Sequence, residues 1–400
     1  MARLTYLSYM VLAALVFLSV PARSGEEPLE DLVRTDSIDC IMGTAVATGL
    51  INGGTVLIGS SDGDLFVGAY GSVDGTAGAQ PVRLDTVFDL ASLTKVVATT
   101  PSIMKLVDDG KVNLLDPVTK WFPEFVGTGK DDLLVLNLLT HTSGFDDFPA
   151  GSCVTVQELV GLAATRDLKA PPGGRFRYAD INFILLGELV RRVSGTELAV
   201  YARENIFLPL GMEDTTFKPG AGLRARCAAT VGESDVLQYG TVQDPVARRL
   251  GGAAGHAGLF GTAADLSRFC RMILKGGEAG GRRILSQEAL RQMTTPFAFH
   301  EGKVVRAVGW DMISPFSSPR GNGFSGASFG HTGYTGCSVW IDPASDLYVI
   351  ILASRREHRR NVEFNRLRSS VSTLAASLFS HPGNRGQCRE NRGGSPRQKT

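Results

Sequence analysis

Short β-type runs close to both ends of the chain enclose a long middle of helical spacing, and this arrangement narrows the possible folds more than any other feature. Thr55-Val-Leu-Ile58 and Leu65-Phe-Val67, separated by the turn Ser60-Ser-Asp-Gly-Asp64, read as strands near the start. Val304–Trp310, Ser338–Ile341 and Leu347–Ala353 read as strands near the end, before a last helix over Asn361–Leu378. Between them, helices are expected over Ala91–Asp109 with a kink at Pro101, and over Val154–Thr165, Ile181–Val193, Glu197–Phe207 and Thr262–Leu274. Thr262 stands three residues before Asp265, the spacing of a helix cap. The expectation is an α+β fold: one sheet completed by N- and C-terminal segments, with a helical insertion and a cleft where the two halves meet.

Composition excludes several classes. A chain of 400 residues with 43% apolar content carries too much core material for intrinsic disorder. Its 47 glycines show no three-residue period, so they mark tight turns and not a collagen helix. The net charge of +1 is uneven. Residues 1–24 hold two basic groups and no acid, and residues 380–400 hold five basic groups and one acid, leaving the body mildly acidic. An acidic body argues against nucleic acid as a partner, and the basic end, residues 381–400, is expected to be a solvated, disordered tail.

Residues 1–24 read as an export signal. Arg3 precedes a 14-residue apolar stretch from Leu7 to Val20, and Ala22-Arg-Ser24 offers small residues before a cut. That stretch is short for the roughly 20 residues a membrane helix needs, and no other segment is apolar enough to span. The expectation is an exported, periplasmic or secreted, protein with no membrane span after signal removal and a catalytic domain over residues 25–380. Cys40, Cys153, Cys227, Cys270, Cys337 and Cys388 are scattered, and their spacing selects no disulfide pairing. Neither cysteines nor histidines show metal-ligand spacing, so no metal and no cofactor are expected.

Four short motifs carry possible chemistry. Gly321-Asn-Gly-Phe-Ser-Gly326 fits a dinucleotide fingerprint but lacks the strand and helix that the fingerprint requires. Gly326-Ala-Ser328-Phe-Gly330 fits a nucleophile elbow, with Asp342, Asp346 and His358 following in suitable order. An elbow needs a strand before it and a helix after it; here a glycine-rich loop precedes and a strand follows. Ser92-Leu-Thr-Lys95 and Ser102-Ile-Met-Lys105 both fit S-x-x-K. Ser92 falls at a helix start, where unpaired amides stabilise negative charge, with Lys95 one turn later among Leu93, Val96 and Val97. A lysine in such surroundings loses hydration, which lowers its pKa and suits it to act as a base. Ser102 lies mid-helix, on another face. Tyr178-Ala-Asp180 at a helix entrance and His331-Thr-Gly333 beside a late strand complete a three-motif order.

With these motifs, the chain resembles the penicillin-recognising serine hydrolases, which include class C β-lactamases, D-alanyl-D-alanine carboxypeptidases and related esterases. The resemblance extends to Phe88 through Lys95, Leu138-Leu-Thr-His-Thr-Ser-Gly144, Tyr178 through Gly187, Pro209-Leu-Gly-Met212, Gly251 through Phe260 and Gly330 through Gly336. It covers about residues 28–380 and is strongest to the carboxypeptidase branch, which carries histidine where the lactamases have lysine. It implies a β-lactamase/transpeptidase-like fold and acyl transfer on amide or ester bonds of cell-wall peptides, β-lactams or related small molecules. A promiscuous esterase, a muropeptide amidase and a non-turning-over peptidoglycan sensor are the alternatives.

The resemblance also assigns roles. Ser92 would be the nucleophile, Lys95 and Tyr178 would share proton transfer, and the backbone amides of Ser92 and Tyr334 would form the oxyanion hole, worth roughly 3–4 kcal/mol per donor elsewhere. Asp180, His331, Thr332, Gly333 and Tyr334 would face substrate. Two residues depart from the pattern. Asp180 replaces an asparagine, so it cannot donate an amide hydrogen bond to a substrate carbonyl, and it can pair with Lys95 and keep it charged. His331 replaces lysine, so carboxylate recognition should weaken and become pH-dependent, with help from Arg175 or Arg177. His141 is read as structural, and His256 as packing its loop or lining the cleft.

Overall fold

The computed structural model describes residues 29–232, 235–300, 303–355 and 359–380. The expected export signal and the basic tail lie outside the described residues, as do His358 and Cys388. Helix α1 (Leu29–Ala47) leads into strands β1 (Gly53–Ser60) and β2 (Gly63–Gly71), and the two-residue strand β3 (Phe88–Asp89) precedes Ser92. A π-helical turn over Lys95–Thr99 runs into α2 (Thr100–Asp108). Helix α3 (Asp180–Ser194), strand β4 (Thr216–Phe217), strand β5 (Leu259–Gly261) and helix α4 (Ala263–Leu274) belong to the middle of the chain. Strands β6 (Lys303–Arg306), β7 (Phe329–Thr332), β8 (Ser338–Asp342) and β9 (Leu347–Ser354) and helix α5 (Asn361–Phe379) close it.

The main sheet is antiparallel, in the order β7-β8-β9-β1-β2. Its middle joins the two ends of the chain, since β1 pairs with β9 from Gly53 opposite Ser354 to Gly59 opposite Tyr348. Both strands are buried along their whole length, which requires cover on both faces. Alternation sorts the side chains: Val56, Ile58, Val349 and Ile351 pack with Ile38, Met42, Phe364 and Val371 from α1 and α5. Leu57, Ile350 and Leu352 point the other way, into the core shared with α4 and the helical middle. A smaller sheet, β3-β5-β4, ties the segment before Ser92 to the middle of the chain.

The α+β expectation stands, with local differences. The helix expected over 91–109 is broken at its start. Pro101 falls in the first turn of α2, and the amide of Thr100 bonds back to Lys95 in a wide π turn. A proline there has no amide to contribute, so the extra residue of the π turn takes up the place of a kink. The helix expected over 197–207 likewise ends in a π turn, Arg203–Phe207. The strand expected over 304–310 stops at Arg306 because the chain reverses, with Ala307 bonding to the Trp310 carbonyl and Gly309 in the left-handed region. Thr262 caps α4 as expected, accepting from the Asp265 amide at 3.2 Å. The elbow reading of Ser328 is overturned: its fully buried hydroxyl donates to the Ser325 carbonyl at 2.7 Å, and strand β7 follows it directly. The Gly321–Gly326 run is loop, with Gly321 pressed against Ser369 and Thr373 of α5.

Candidate active site

Ser92 is presented by a strained turn. Ala91, just before it, has φ of 46°, a left-handed conformation that a residue with a Cβ adopts only under constraint. Asp89 supplies the constraint from the buried strand β3. Its carboxylate accepts from the Ala91 amide at 2.9 Å and from the Gln243 amide at 2.7 Å, and burial raises its pKa to about 6. Leu90 bonds to the Leu259 carbonyl of β5 at 2.9 Å, which fixes the turn from the other side. The end of β7 is stitched to the same segment, since Thr335 donates to the Asp89 carbonyl at 2.7 Å. A Cβ on Gly333 would lie 2.5 Å from the Leu90 carbonyl, so only glycine permits this approach. The approach brings the backbone at Gly333 and Tyr334 beside the Ser92 turn. The Tyr334 side chain itself is 54% exposed.

Lys95 lies one turn on, wholly buried, with three acceptors for its three protons. Its Nζ is 3.0 Å from Ser92 Oγ, 3.1 Å from the His256 carbonyl and 2.7 Å from Asp180 Oδ1. Burial works against its charge, but Asp180 and Tyr178 outweigh burial and hold its pKa well above the ordinary lysine value. The structure therefore corrects the expectation of a pKa-lowered lysine base and bears out the alternative, a lysine kept charged by Asp180. Asp180 begins α3 and stays ionised, because Lys95 overcomes the effect of its burial.

Tyr178 is half-buried against the same group. Burial raises its pKa, while the Lys95 ammonium, 5.0 Å from its ring centre, and Ser92 act in the opposite direction. Its ring stacks on His141 with centroids 4.3 Å apart, and Phe316 covers it from outside at 5.5 Å. His141 is structural, as expected. Its backbone is left-handed at φ 55°, and its Nδ1 accepts the Ala179 amide at 3.2 Å, holding the chain that enters α3.

His331 is buried on β7, with Nδ1 2.8 Å from the Thr332 carbonyl and its ring centre 6.0 Å from that of Tyr178. Burial, with Arg306 and Lys95 nearby, holds its pKa well below the ordinary histidine value. This overturns the expectation of a histidine that switches charge near pH 6.5, because the ring stays neutral. Arg175 is exposed, and Arg177 is paired with Asp146 at 2.5 Å. A second buried cation near Tyr178, besides Lys95, is one the motifs did not indicate. Arg306, 1% exposed, has its Cζ 6.0 Å from the Tyr178 ring centre, donates to the Gly309 carbonyl at 2.7 Å and faces Asp311 at 4.0 Å. Nothing in its strand-like run distinguishes Arg306 as a site residue.

Asp244 is the second residue that sequence reasoning missed. It caps a short helix by accepting the Ala247 amide at 2.7 Å, and the same oxygen lies 2.9 Å from His256 Nε2. Against burial, these hydrogen bonds lower its pKa to about 2. His256 thus both packs its loop and lines the cleft: its carbonyl takes Lys95, and its ring faces a cavity of about 200 Å³ beside Asp147, Asp180 and Val246. Ligand atoms of Asp180, Asp244 and His256 lie within 4.8 Å of one another, the one such group among the described residues. The Lys95 ammonium already occupies the cation's place at Asp180.

A hydroxyl at a helix start, a buried ammonium bridging it to a carboxylate, and a tyrosine against both form an acyl-transfer constellation, and comparisons with known proteins agree with that reading. Residues 44–371 match the Beta-lactamase family. An Escherichia coli K12 protein provisionally named a D-alanyl-D-alanine carboxypeptidase is 28% identical over 314 residues, covering 69% of this chain and 71% of that protein. A class C β-lactamase from Rhodobacter sphaeroides superposes with a TM-score of 0.70 at 20% identity, over 86% of this chain and 99% of the other. A penicillin-binding protein homologue from Caulobacter crescentus gives 0.69 at 22% identity, over 86% and 97%. Motif order, fold and a match spanning most of the chain lead to one conclusion: this chain belongs to the β-lactamase family and is a serine hydrolase.

Proposed function

We propose that this chain hydrolyses small amides or esters through an acyl-enzyme on Ser92, with Tyr178 moving the proton and Lys95 remaining an ammonium throughout. The observation that carries this reading is the bridge from Ser92 Oγ through Lys95 Nζ to Asp180 Oδ1, at 3.0 and 2.7 Å. A lysine with all three protons engaged and its pKa raised is no base, which leaves Tyr178 as the group able to take the Ser92 proton. The minor phenolate form of Tyr178, favoured by the nearby Lys95 and Arg306 charges, accepts that proton as Ser92 Oγ attacks the carbonyl. The amides of Ser92 and Tyr334 hold the oxyanion, and the Tyr178 phenol then protonates the departing amine or alcohol. Water repeats the sequence in reverse roles: Tyr178 takes its proton, the acyl group leaves as an acid and Ser92 regains its hydrogen.

Charge at the site bears on the substrate. Asp180 offers no donor to a substrate carbonyl, and His331 is neutral and buried, so neither the amide clamp nor the lysine that would draw a carboxylate is present. Carboxylate-bearing β-lactams and acyl-D-alanyl-D-alanine peptides are therefore disfavoured relative to uncharged or amine-bearing esters and amides. Export remains part of the proposal, carried by the apolar stretch after Arg3, and mass spectrometry of the mature N-terminus tests it. The hydrolase reading is tested by acid-quenching the enzyme during turnover of a 4-nitrophenyl ester and mapping the adduct. An acyl group on the Ser92 peptide supports the reading, and an adduct on another serine overturns it.

A further inference from the structure

Beside Asp180, a cavity of about 200 Å³ is lined by Phe148, Leu159, Ile184 and Val246 along its apolar walls and by Asp147, Asp180 and His256 at its polar positions. No lysine or arginine lines it. Its polar groups are acceptors. Asp147 Oδ1 accepts the amides of Asp180 and Ile181 at 2.6 and 3.4 Å, Asp180 takes the Lys95 ammonium, and Asp244 behind them takes His256 Nε2 and the Ala247 amide. Asp244 Oδ1 engages His256 at Nε2, 2.9 Å away, so the ring's other nitrogen, Nδ1, is left to face its surroundings. That nitrogen is buried in a residue 1% exposed and has no hydrogen-bond partner among the described residues. The Lys95 ammonium is engaged elsewhere, donating to Ser92 Oγ and the His256 carbonyl and pairing with Asp180. Asp147, Asp180 and Asp244 gather here around the Lys95 ammonium, and a buried ring nitrogen goes unpartnered, so the cavity suits a donor-rich positive group.

We propose that this cavity recognises an unblocked amine on the acyl part of the substrate, so that the enzyme acts on amides or esters of amino acids with a free ammonium group near the scissile carbonyl. The ammonium would stand between Asp180, Asp147 and His256 Nδ1, and the apolar walls would take the aliphatic side chain. Asp180 is linked to Ser92 Oγ through the Lys95 ammonium, by an ion pair at 2.7 Å and a hydrogen bond at 3.0 Å, within reach of an amine one or two bonds from the carbonyl being attacked. The proposal rests on the serine-hydrolase reading and names the substrate class of that site.

The test compares D- and L-leucine 4-nitroanilide with 4-methylpentanoyl 4-nitroanilide, which has the same carbon skeleton without the amine, at pH 7.5. Each compound is scored both as substrate and as competitor of fluorophosphonate labelling at Ser92, so that binding without turnover is also read. One leucine enantiomer is expected to exceed the amine-free compound by about tenfold in kcat/KM, or in protection, as expected for a partly buried charge pair. Asp147→Asn keeps an oxygen for the α3 amides but removes a charge. It should shrink that advantage, taken as the ratio of the two compounds in the same variant, to less than about threefold. Equal or better handling of the amine-free compound would overturn the ammonium cavity while leaving the hydrolase reading intact. A parallel loss on both compounds in Asp147→Asn would also overturn it, by making Asp147 a purely structural cap. Failure of fluorophosphonate to label Ser92 would instead remove the hydrolase reading, and the cavity proposal with it.

Discussion

Asp180 Oδ1 lies 2.7 Å from Lys95 Nζ, closer than the 3.0 Å that separates the same ammonium from Ser92 Oγ. The carboxylate therefore has the stronger claim on the lysine, and the base role falls to Tyr178. If so, log kcat/KM for a neutral ester should rise with pH at a slope near one from pH 6 to at least pH 9, because burial raises the pKa of the tyrosine that must ionise. A plateau already reached at pH 7 would return the base role to a group of ordinary pKa.

Replacing Asp180 with asparagine removes the counter-charge that burial alone cannot overcome, so the pKa of Lys95 should fall. The pH–rate profile of Asp180→Asn should shift toward lower pH, and turnover of β-lactams should rise by about tenfold as the amide supplies a donor. Unchanged β-lactam turnover would show that Asp180 does not set this preference.

Arg306 is a second buried cation near Tyr178, besides Lys95. Arg306→Met should move the pH–rate profile to higher pH by about one unit with little change in KM, and Arg306→Lys should restore it. The methionine variant leaves Asp311 buried without its partner and should lose about 3–5 kcal/mol of stability in urea unfolding. The profile must therefore be measured at a temperature where circular dichroism shows the variant folded. An unmoved profile in a folded variant would limit Arg306 to packing.

Asp89 links stability to pH. Its folded pKa of about 6 exceeds its unfolded value near 3.8, so its favourable contribution is full below about pH 4 and is lost as pH rises through 6. The loss is about 3 kcal/mol. In urea unfolding, the wild type should lose roughly that much more than Asp89→Asn between pH 4 and pH 7.5. Equal pH dependence in the two proteins would show that Asp89 titrates normally in the fold.

Gly333 tests the close approach of β7 to the Ser92 turn. A Cβ placed 2.5 Å from the Leu90 carbonyl must push the two apart, and Gly333→Ala should cut kcat by about 10²-fold with KM little changed. A variant with full kcat would mean that the Tyr334 amide is not needed for oxyanion binding.

The sheet was legible in the sequence because β1 and β9 bury both faces and so read as short, almost continuous apolar runs. Ser92, Lys95, Tyr178, Asp180 and His331 were legible as motifs, and the fold brings all of them to one site. Their charge states were only partly legible, because Lys95 and His331 take theirs from neighbours distant in sequence. Arg306 and Asp244 left no local signal: an arginine at a strand end and an aspartate before a proline are ordinary there, and only tertiary packing turns one toward Tyr178 and the other toward His256. The π turn at Lys95–Thr99 was hidden in the same way, since its proline fits a kinked helix equally well.

Fluorophosphonate labelling read by intact mass and peptide mapping, on wild type, Ser92→Ala and Ser328→Ala, tests the central claim most directly. One adduct is expected on the Ser92 peptide of the wild type, none in Ser92→Ala, and wild-type labelling in Ser328→Ala. Labelling that survives in Ser92→Ala, or disappears in Ser328→Ala, would contradict it.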